Sequence, residues 1–295
     1  KMRNTGIKVV ADFHENYPEA LKVWFQWKTN PLIRLKNNIF FGYKRWTKYE
    51  SWAVNNSDYV IAVVEEMKAR IISEQAQAQE KVVVVTNTEN IAFAKSELFE
   101  DIYQVDANKF ILAYTGGVGP HRGVDTAIKG MAQLKDLQDV VLYVVGSLSE
   151  AANRMLEKLI IENNLGGRVH VLGYKPFNLF YSYMKMATVN IIPHNSNGHT
   201  DHTVPHKLFQ CMMTGKPLLV STSAPLKRII GETEGGLYFE AGNSEDFASK
   251  VRALYADEEL RTSLGEKGKI ATLEGKYNWE TSSSSIISLY DKILK

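Results

Sequence analysis

Short runs of apolar residues alternate with amphipathic segments along most of this chain. The apolar runs predict strands at 7–13, 59–64, 81–85, 110–114, 189–193 and 218–220. Apolar residues recur at helical spacing in the segments 181–187, 208–213, 246–255, 258–269 and 281–294. Strands that are apolar throughout are typical of parallel sheets covered by helices on both faces. The pattern therefore predicts an α/β fold.

The segment 204–221, with the sequence VPHKLFQCMMTGKPLLVS, combines a loop, a helix, a turn and a strand. Pro205 suits a first helical turn, where a missing N–H costs nothing, and Gly215 ends the helix. The unpaired N–H groups at the start of such a helix, with Lys207 just inside it, predict an anion site. An ordinary loop–helix–strand unit that binds nothing has the same pattern, so this segment alone leaves both interpretations open.

A glycine-rich loop, TGGVGPHRG at 115–123, follows the predicted strand 110–114. Glycines let the backbone approach a phosphate closely. Arg122 stands where a dinucleotide fingerprint has its third glycine, which argues against an NAD site, and the chain has no Walker A motif. The loop predicts a phosphate site with Arg122 as its cation; the alternative is a surface ion pair.

Composition narrows the class of protein. A chain of 295 residues that is 44% hydrophobic can bury a large core and predicts two domains. The net charge of +2 argues against nucleic-acid binding, for which we expect a strongly basic face. The one cysteine, Cys211, excludes an internal disulfide and suits a reducing cytosol, so we predict a cytoplasmic protein. No apolar run reaches the length of about 18 residues that a membrane span needs.

The stretch 21–52 is basic and rich in aromatic residues. It carries seven Lys and Arg residues against one acid, Glu50, with Trp, Phe and Tyr side chains between them. Such a mix can lie on an anionic membrane surface or stack single-stranded nucleic acid. A helical region packed on the core, with solvated lysines, has the same composition. We predict contact with an anionic membrane and, given the net charge, no nucleic acid as a partner.

Histidines cluster in the loop that precedes the 204–221 helix. Four of the seven lie within thirteen residues: His194, His199, His202 and His206. The last three have a spacing that could ligate zinc. No second cluster supports a metal, so we predict none and expect at least one of these side chains to contact a bound ligand.

A polar segment, DFHEN, follows the predicted strand 7–13. In α/β sheets ligands bind at the carboxyl ends of strands, and His14 is a tunable donor and acceptor at that place. The alternative is a helix-capping loop whose histidine is satisfied within the protein.

Together these segments resemble the GT-B glycosyltransferases, family 4 in particular. The family's donor-binding signature is commonly written P-x-K-L-x-E-Y-M-x-x-G-K-P-V. This chain matches it at Pro205, Lys207, Leu208, Met212, Gly215, Lys216 and Pro217. The segments 140–147 and 168–174 are similar to the family's next strand and to the loop whose backbone contacts the nucleobase. His202 and Gln210 stand where the family has glutamates, near the donor sugar and at the ribose respectively.

The resemblance implies which residues form the site. His14, Arg122 and Lys207 would act at the reaction centre, where the two cations would stabilise the charge of the leaving diphosphate. The other donor-site residues would bind the nucleotide sugar: Gly116, Gly117, Gly119, Gly173, Tyr174, His202, Thr203, Val204 and Gln210. The implied reaction is sugar transfer, with retention, from a nucleotide-diphosphate sugar to a glycan or lipid-linked acceptor. It needs no cofactor besides the nucleotide sugar and no metal, and the chain has no D-x-D motif.

The resemblance also implies a GT-B architecture, in which two Rossmann-like domains face each other across a cleft. We predict a partial N-terminal domain at 1–105, a donor-binding domain at 106–278 and a helix at 279–295 that crosses back to the first domain. The family's first strands and its glycine-rich acceptor loop are expected to precede residue 1. The two replaced glutamates leave two alternatives: a non-catalytic nucleotide-sugar-binding protein and a nucleotide-sugar epimerase of this fold.

Overall fold

The strands form two parallel sheets in the computed structural model, which describes residues 6–24, 30–104 and 108–295. The first sheet contains β1 (Val10–Phe13), β2 (Tyr59–Ala62) and β3 (Val82–Val84), in that order. The second sheet contains β4 (Phe110–Thr115), β5 (Val140–Val145), β6 (Val169–Gly173), β7 (Val189–Ile192), β8 (Leu218–Ser221) and β9 (Gly236–Phe239). All strand pairs are parallel, and the predicted α/β fold is confirmed.

Helices connect most of the strands. Four lie in the first third of the chain: α1 (Tyr17–Trp24), α2 (Pro31–Phe40), α3 (Tyr43–Asn56) and α4 (Glu65–Glu74). Those of the second part are α5 (Val124–Met131), α6 (Glu150–Glu162), α7 (Phe180–Lys185), α8 (Lys207–Met213), α9 (Ala224–Thr233), α10 (Ser244–Ala256) and α11 (Glu258–Leu273). The last helix is α12 (Trp279–Leu294).

The order of the second sheet places a ligand-binding position beside β4. The strands lie in the order β6-β5-β4-β7-β8-β9, so the chain moves to one side of β4 and then returns to its other side. The loops after β4 and β7 therefore separate at a crevice at the carboxyl edge of the sheet, which is where open α/β sheets bind ligands.

Two strands differ from the sequence prediction. The first begins at Val10 rather than at residue 7, because residues 7–9 precede the ladder with β2. Strand β9 was not predicted. Its four residues begin with a glycine and include an exposed Tyr238, so the apolar pattern is too short to identify it.

One hydrophobic core joins the two sheets. Val60 and Met67 of the first part are buried in the same cluster as Leu208, Phe209 and Met212 of α8. Helix α8 is therefore packed against both parts of the chain. Because that helix carries Lys207, its packing positions the lysine relative to both sheets.

Helix α12 returns to the first sheet. Leu289 packs in one buried cluster with Ile61 and Val85. Tyr103 is buried against Tyr143 and Tyr183, so the end of the predicted first domain packs on the second sheet. The predicted boundary itself, at 105–106, and residues 25–29 of the basic stretch lie outside the described residues. Within the described ranges no helix has the length and apolar character of a bilayer span.

Candidate functional site

Backbone contacts hold the glycine-rich loop after β4 in place. Gly116 N donates to Val145 O at 2.8 Å, and Val118 N donates to Ser147 O at 2.9 Å. A Cβ atom on Gly146 would lie 2.1 Å from Gly116 O, so only glycine permits this approach. The loop is therefore fixed by the ends of β4 and β5 before any ligand binds.

Lys207 reaches this loop from the start of α8. Its Nζ lies 3.5 Å from the centroid of the Tyr114 ring and is buried, with no hydrogen-bond partner among the described residues. Burial, followed by repulsion from Arg122, holds the pKa of Lys207 well below its usual range. The Tyr114 hydroxyl donates to Gly117 O at 2.6 Å, so the same ring contacts both the lysine and the loop. An unpaired buried ammonium is unfavourable, and a bound anion would satisfy it.

Arg122 provides a second positive charge beside the same loop. It ends the short 3-10 turn Pro120–Arg122, and its Nη1 donates to His194 Nε2 at 3.2 Å. Burial, then the charges of Arg122 and Lys207, lower the pKa of His194 well below its usual range. The imidazole is therefore neutral and does not compensate the guanidinium. Arg122 is also attracted by the Glu15 carboxylate, whereas Lys207 packs on the neutral Tyr114 ring, and both cations lie beside the loop.

Two more buried histidines surround Arg122. The ring centroids of His121 and His199 are 5.2 Å apart. Burial, then Arg122, lowers the pKa of His121 to about 3 and that of His199 to about 4. Both ring nitrogens of His121 and Nδ1 of His199 are buried without partners. His121 was not predicted as a site residue; its position next to Arg122 in the loop was the available signal.

These side chains line a cavity of about 180 Å³ where the two parts of the chain meet. The first part contributes His14, Glu15 and Asn87, and the second contributes Arg122 and the histidines. Burial raises the pKa of Glu15, which is the only carboxylate among the described residues of the lining. The described lining therefore combines one guanidinium and one carboxyl group with several neutral hydrogen-bonding nitrogen atoms, and the charge-assisted bonds of the guanidinium suit a phosphate.

Several predicted residues lie at this cavity. His14, Arg122, Thr203 and Val204 line it. Thr203 Oγ1 donates to His14 O at 3.4 Å, which links the two parts of the chain. The exposed His14 ring pairs with Asp12, with Nε2 at 3.0 Å from Oδ2. Gly116, Gly117 and Gly119 belong to the loop described above, and a Cβ on Gly119 would lie 3.3 Å from the His121 ring.

Other predicted residues lie outside the lining of this cavity. Gly173 ends β6, two strands from β4, and Tyr174 follows it with its side chain exposed. His202 Nδ1 lies 2.9 Å from Gly198 O, a local contact within its own loop. The predicted contacts of Gly173 and Tyr174 with the base, and of His202 with the donor sugar, remain predictions.

Gln210 has a partner that the sequence did not indicate. Its Nε2 donates to Glu89 Oε2 at 2.7 Å, across 121 residues of chain. His206 Nε2 lies 3.5 Å from the same carboxylate. The first part of the chain thus supplies a carboxylate directly beside the position where the family has its own glutamate. The sequence pattern could not predict this contact, because the two residues are 121 positions apart in the chain.

The buried histidines predict a loss of stability in acid. The pKa of His199 is about 4 in the folded protein and about 6.5 in an unfolded chain. The unfolded state therefore binds more protons between these values, so the free energy of unfolding falls as the pH falls through this window. Replacing His199 by Gln should reduce that slope by about 1.1 kcal/mol per pH unit between pH 6 and 5.

Urea unfolding at pH 7.5, 6 and 5 measures the slope. The control is His170→Gln, because His170 stacks on Tyr143 and is only partly buried. We expect a smaller change of slope for the control. Equal slopes in the wild type and in His199→Gln would show that His199 is not held neutral by burial.

The comparisons with known proteins agree with this geometry. Two parallel sheets covered by helices and joined beside a crevice are the architecture of the GT-B class of proteins. Residues 95–271 match the family described as glycosyl transferases group 1, and the chain belongs to that family.

Two similar proteins agree with this family, and a similar solved structure agrees with the fold. The chain is 26% identical over 259 residues to an uncharacterized glycosyltransferase, MJ1178, of Methanocaldococcus jannaschii, covering 88% of this chain and 65% of that protein. It is 23% identical over 266 residues to the capsular polysaccharide biosynthesis glycosyltransferase CapM of Staphylococcus aureus, covering 86% of this chain and 67% of the relative. The chain thus spans about two thirds of the length of these two relatives. The crystal structure of Anabaena Alr3699/HepE in complex with UDP superposes with a TM-score of 0.75 at 15% identity, covering 99% of this chain and 74% of the other.

Proposed function

We propose that this protein is a hexosyltransferase-type glycosyltransferase that moves a sugar from a nucleotide-diphosphate sugar to a glycan or lipid-linked acceptor. The observation that carries the proposal is the pair of cations at the loop after β4. In the part of the chain that the structure describes, Lys207 Nζ is buried without a hydrogen-bond partner, and Arg122 contacts a neutral imidazole. A diphosphate is the group that would satisfy both charges at once.

The cations would also promote the chemical step. When the bond between the sugar and the diphosphate breaks, negative charge develops on the leaving phosphate oxygen. Arg122 and Lys207 would stabilise that charge, and both are in position before the reaction because packing and the fixed loop hold them. We propose that the transfer needs no metal ion, because the two cations would take the place of one at the diphosphate.

The nucleoside would lie beside Gln210 and Glu89. Gln210 offers an amide and Glu89 a carboxylate, and both can bond the two hydroxyls of a ribose. The hydrogen bond between Gln210 and Glu89 supports a shared role at the ribose, since Glu89 supplies the negative charge that Gln210 lacks. As HepE was crystallised with UDP, UDP is the first nucleotide to test.

Glu89→Ala should weaken the binding of UDP and of uridine by the same factor, equivalent to about 1.5–3 kcal/mol for a lost bond to a charged group. Pyrophosphate, which has no ribose, serves as the control ligand, and its affinity should not change. Titration calorimetry with the three ligands makes the comparison. A loss confined to pyrophosphate and UDP would place Glu89 at the phosphates and contradict the ribose assignment.

The activity itself is tested by product release. The protein is incubated with UDP-sugars, GDP-sugars and ADP-sugars, and free nucleotide is measured with and without an acceptor. We expect release that depends on the acceptor and persists in EDTA. The anomeric configuration of the product, read by NMR, tests retention, which is supported by the family 4 motif around Lys207. Acceptor-independent conversion of the donor to another nucleotide sugar would instead establish an epimerase, and binding without turnover a non-catalytic protein.

We propose contact with an anionic membrane through the described part of 21–52. Helix α2 exposes Leu32, Leu35 and Ile39 to solvent, and it also carries Arg34 and Lys36. Apolar residues next to basic ones on an exposed helix suit the surface of an anionic bilayer. A cytoplasmic, peripherally bound enzyme agrees with this surface.

Sedimentation with vesicles tests the membrane contact. The protein should bind vesicles that contain phosphatidylglycerol and not those of phosphatidylcholine alone, and it should dissociate at high salt because the attraction is screened. Leu35→Ser should weaken the binding. Equal binding to both kinds of vesicle would contradict an electrostatic contact.

A further inference from the structure

A second, larger cavity adjoins the one at Arg122. It has a volume of about 780 Å³ and shares His14 and Glu15 with the smaller cavity. Volumes of about 300–1,000 Å³ are typical of sites that bury most of the surface of a small ligand. The two cavities lie on either side of the same two residues at the carboxyl end of β1. A molecule in the large cavity would therefore end beside the place proposed for the donor sugar.

The walls of this cavity are aromatic. Seven large rings among the described residues contribute to them: Phe13, Tyr17, Trp24, Phe40, Trp46, Tyr49 and Trp52. The rings of Tyr17 and Trp46 are in edge contact at 4.7 Å between centroids, and those of Trp46 and Tyr49 at 5.6 Å. Contacts between the rings stabilise this wall without a ligand. The surface that remains facing the cavity is mainly hydrocarbon.

Most of the acidic groups in the lining already have partners. Asp12 pairs with His14, and Glu50 accepts a bond from Arg70 at 2.6 Å. A free glycan needs many hydrogen-bonding partners, and this wall offers few. Arg45 also lines the cavity and donates to Tyr49 Oη at 3.3 Å. Trp46 Nε1 is buried and has no partner among the described residues. The cavity therefore suits a ligand that is apolar over most of its length and has a polar group near one end.

We propose that the acceptor is an amphiphile whose hydrocarbon chain occupies this cavity and whose hydroxyl-bearing end lies at His14 and Glu15. The inference rests on the proposed function, since the hydroxyl must reach a sugar held beside Arg122. It selects a lipid-linked acceptor over a free glycan. Phe40 supports this choice, because it lines the cavity at the end of α2, the helix whose exposed apolar residues face solvent. A lipid could pass from a bilayer along that helix into the cavity.

The test uses n-butyl, n-hexyl and n-octyl β-glucoside below their micellar concentrations, titrated into the full chain in the presence of UDP. We expect the dissociation constant to fall by about fourfold for each added methylene, which corresponds to ~0.8 kcal/mol. A constant that does not depend on chain length would overturn the inference.

Tryptophan substitutions at two alanine positions locate the binding site. Ala53 lines the cavity on α3, so Ala53→Trp should fill part of it and remove the dependence on chain length. Ala151 is exposed on α6, and Ala151→Trp is the matched control that should keep the dependence. If Ala53→Trp binds all three glucosides as the wild type does, the chains bind elsewhere and the inference is wrong.

A third variant tests the indole donor of Trp46. Trp46→Phe keeps an aromatic wall but removes the indole N–H, so it should weaken the three glucosides by one common factor and preserve the chain-length dependence. UDP affinity is measured for every variant. If the wild type binds none of UDP, GDP and ADP, the proposed function is refuted, whereas nucleotide binding without chain-length dependence would refute only the amphiphile.

Discussion

Arg122→Ala and Lys207→Met are each expected to weaken UDP binding by about 1.5–3 kcal/mol, the range for hydrogen bonds to charged groups. Both cations lie beside the loop after β4. Arg122 contacts a neutral imidazole and is attracted by the Glu15 carboxylate, and Lys207 Nζ lies over the Tyr114 ring. Uridine should bind both variants as it binds the wild type, because it has no phosphate. Titration calorimetry with UDP and uridine measures the difference.

Lys207→Met also has an expected effect on the free energy of unfolding. Removing the buried ammonium relieves its desolvation but also removes its contact with the Tyr114 ring, and the two effects oppose each other. The free energy of unfolding should therefore change by less than about 1 kcal/mol while UDP affinity falls. If uridine and UDP lose affinity equally, or if the variant unfolds, Lys207 is a structural residue and the phosphate assignment is wrong.

Gly123→Ala is expected to destabilise the protein by about 2–5 kcal/mol, the sum of left-handed backbone strain and overpacking. Gly123 has a φ of +64°, and a Cβ there would lie 1.7 Å from Pro193 O. The loops after β4 and β7 would have to separate. Because Arg122 is the preceding residue, UDP binding should be lost together with stability.

Gly242→Ala is the matched control for this substitution. Gly242 also has a left-handed backbone, with a φ of +81°, but no atom lies within 4 Å of its ideal Cβ position. Its replacement should cost only about 1 kcal/mol of backbone strain. Urea unfolding of the two variants compares them. Similar losses would mean that the contact with Pro193 relaxes easily and does not fix the crevice.

Local pattern predicted most of the fold because each strand of a covered parallel sheet is apolar along its length. Strands β4 and β5 are buried at every residue, and their apolar runs correspond closely to their observed bounds. Strand β9 was not predicted, because four residues, one of them glycine, are too few to show an apolar pattern. The glycine-rich loop and Lys207 could be singled out because each belongs to a motif of neighbouring residues. A loop and a short helix keep residues that are neighbours in the sequence close together in the structure.

The sequence by itself determined the α/β class, the two candidate cations and the aromatic, basic character of 21–52. Only the tertiary structure decided that Glu89 pairs with Gln210, that His121 and His199 are neutral beside Arg122, and that the aromatic residues surround a cavity next to His14. The physical reason is that burial and proximity are properties of the packed chain. A histidine becomes neutral when packing removes its water, and residues 121 positions apart meet only because both sheets share one core around α8.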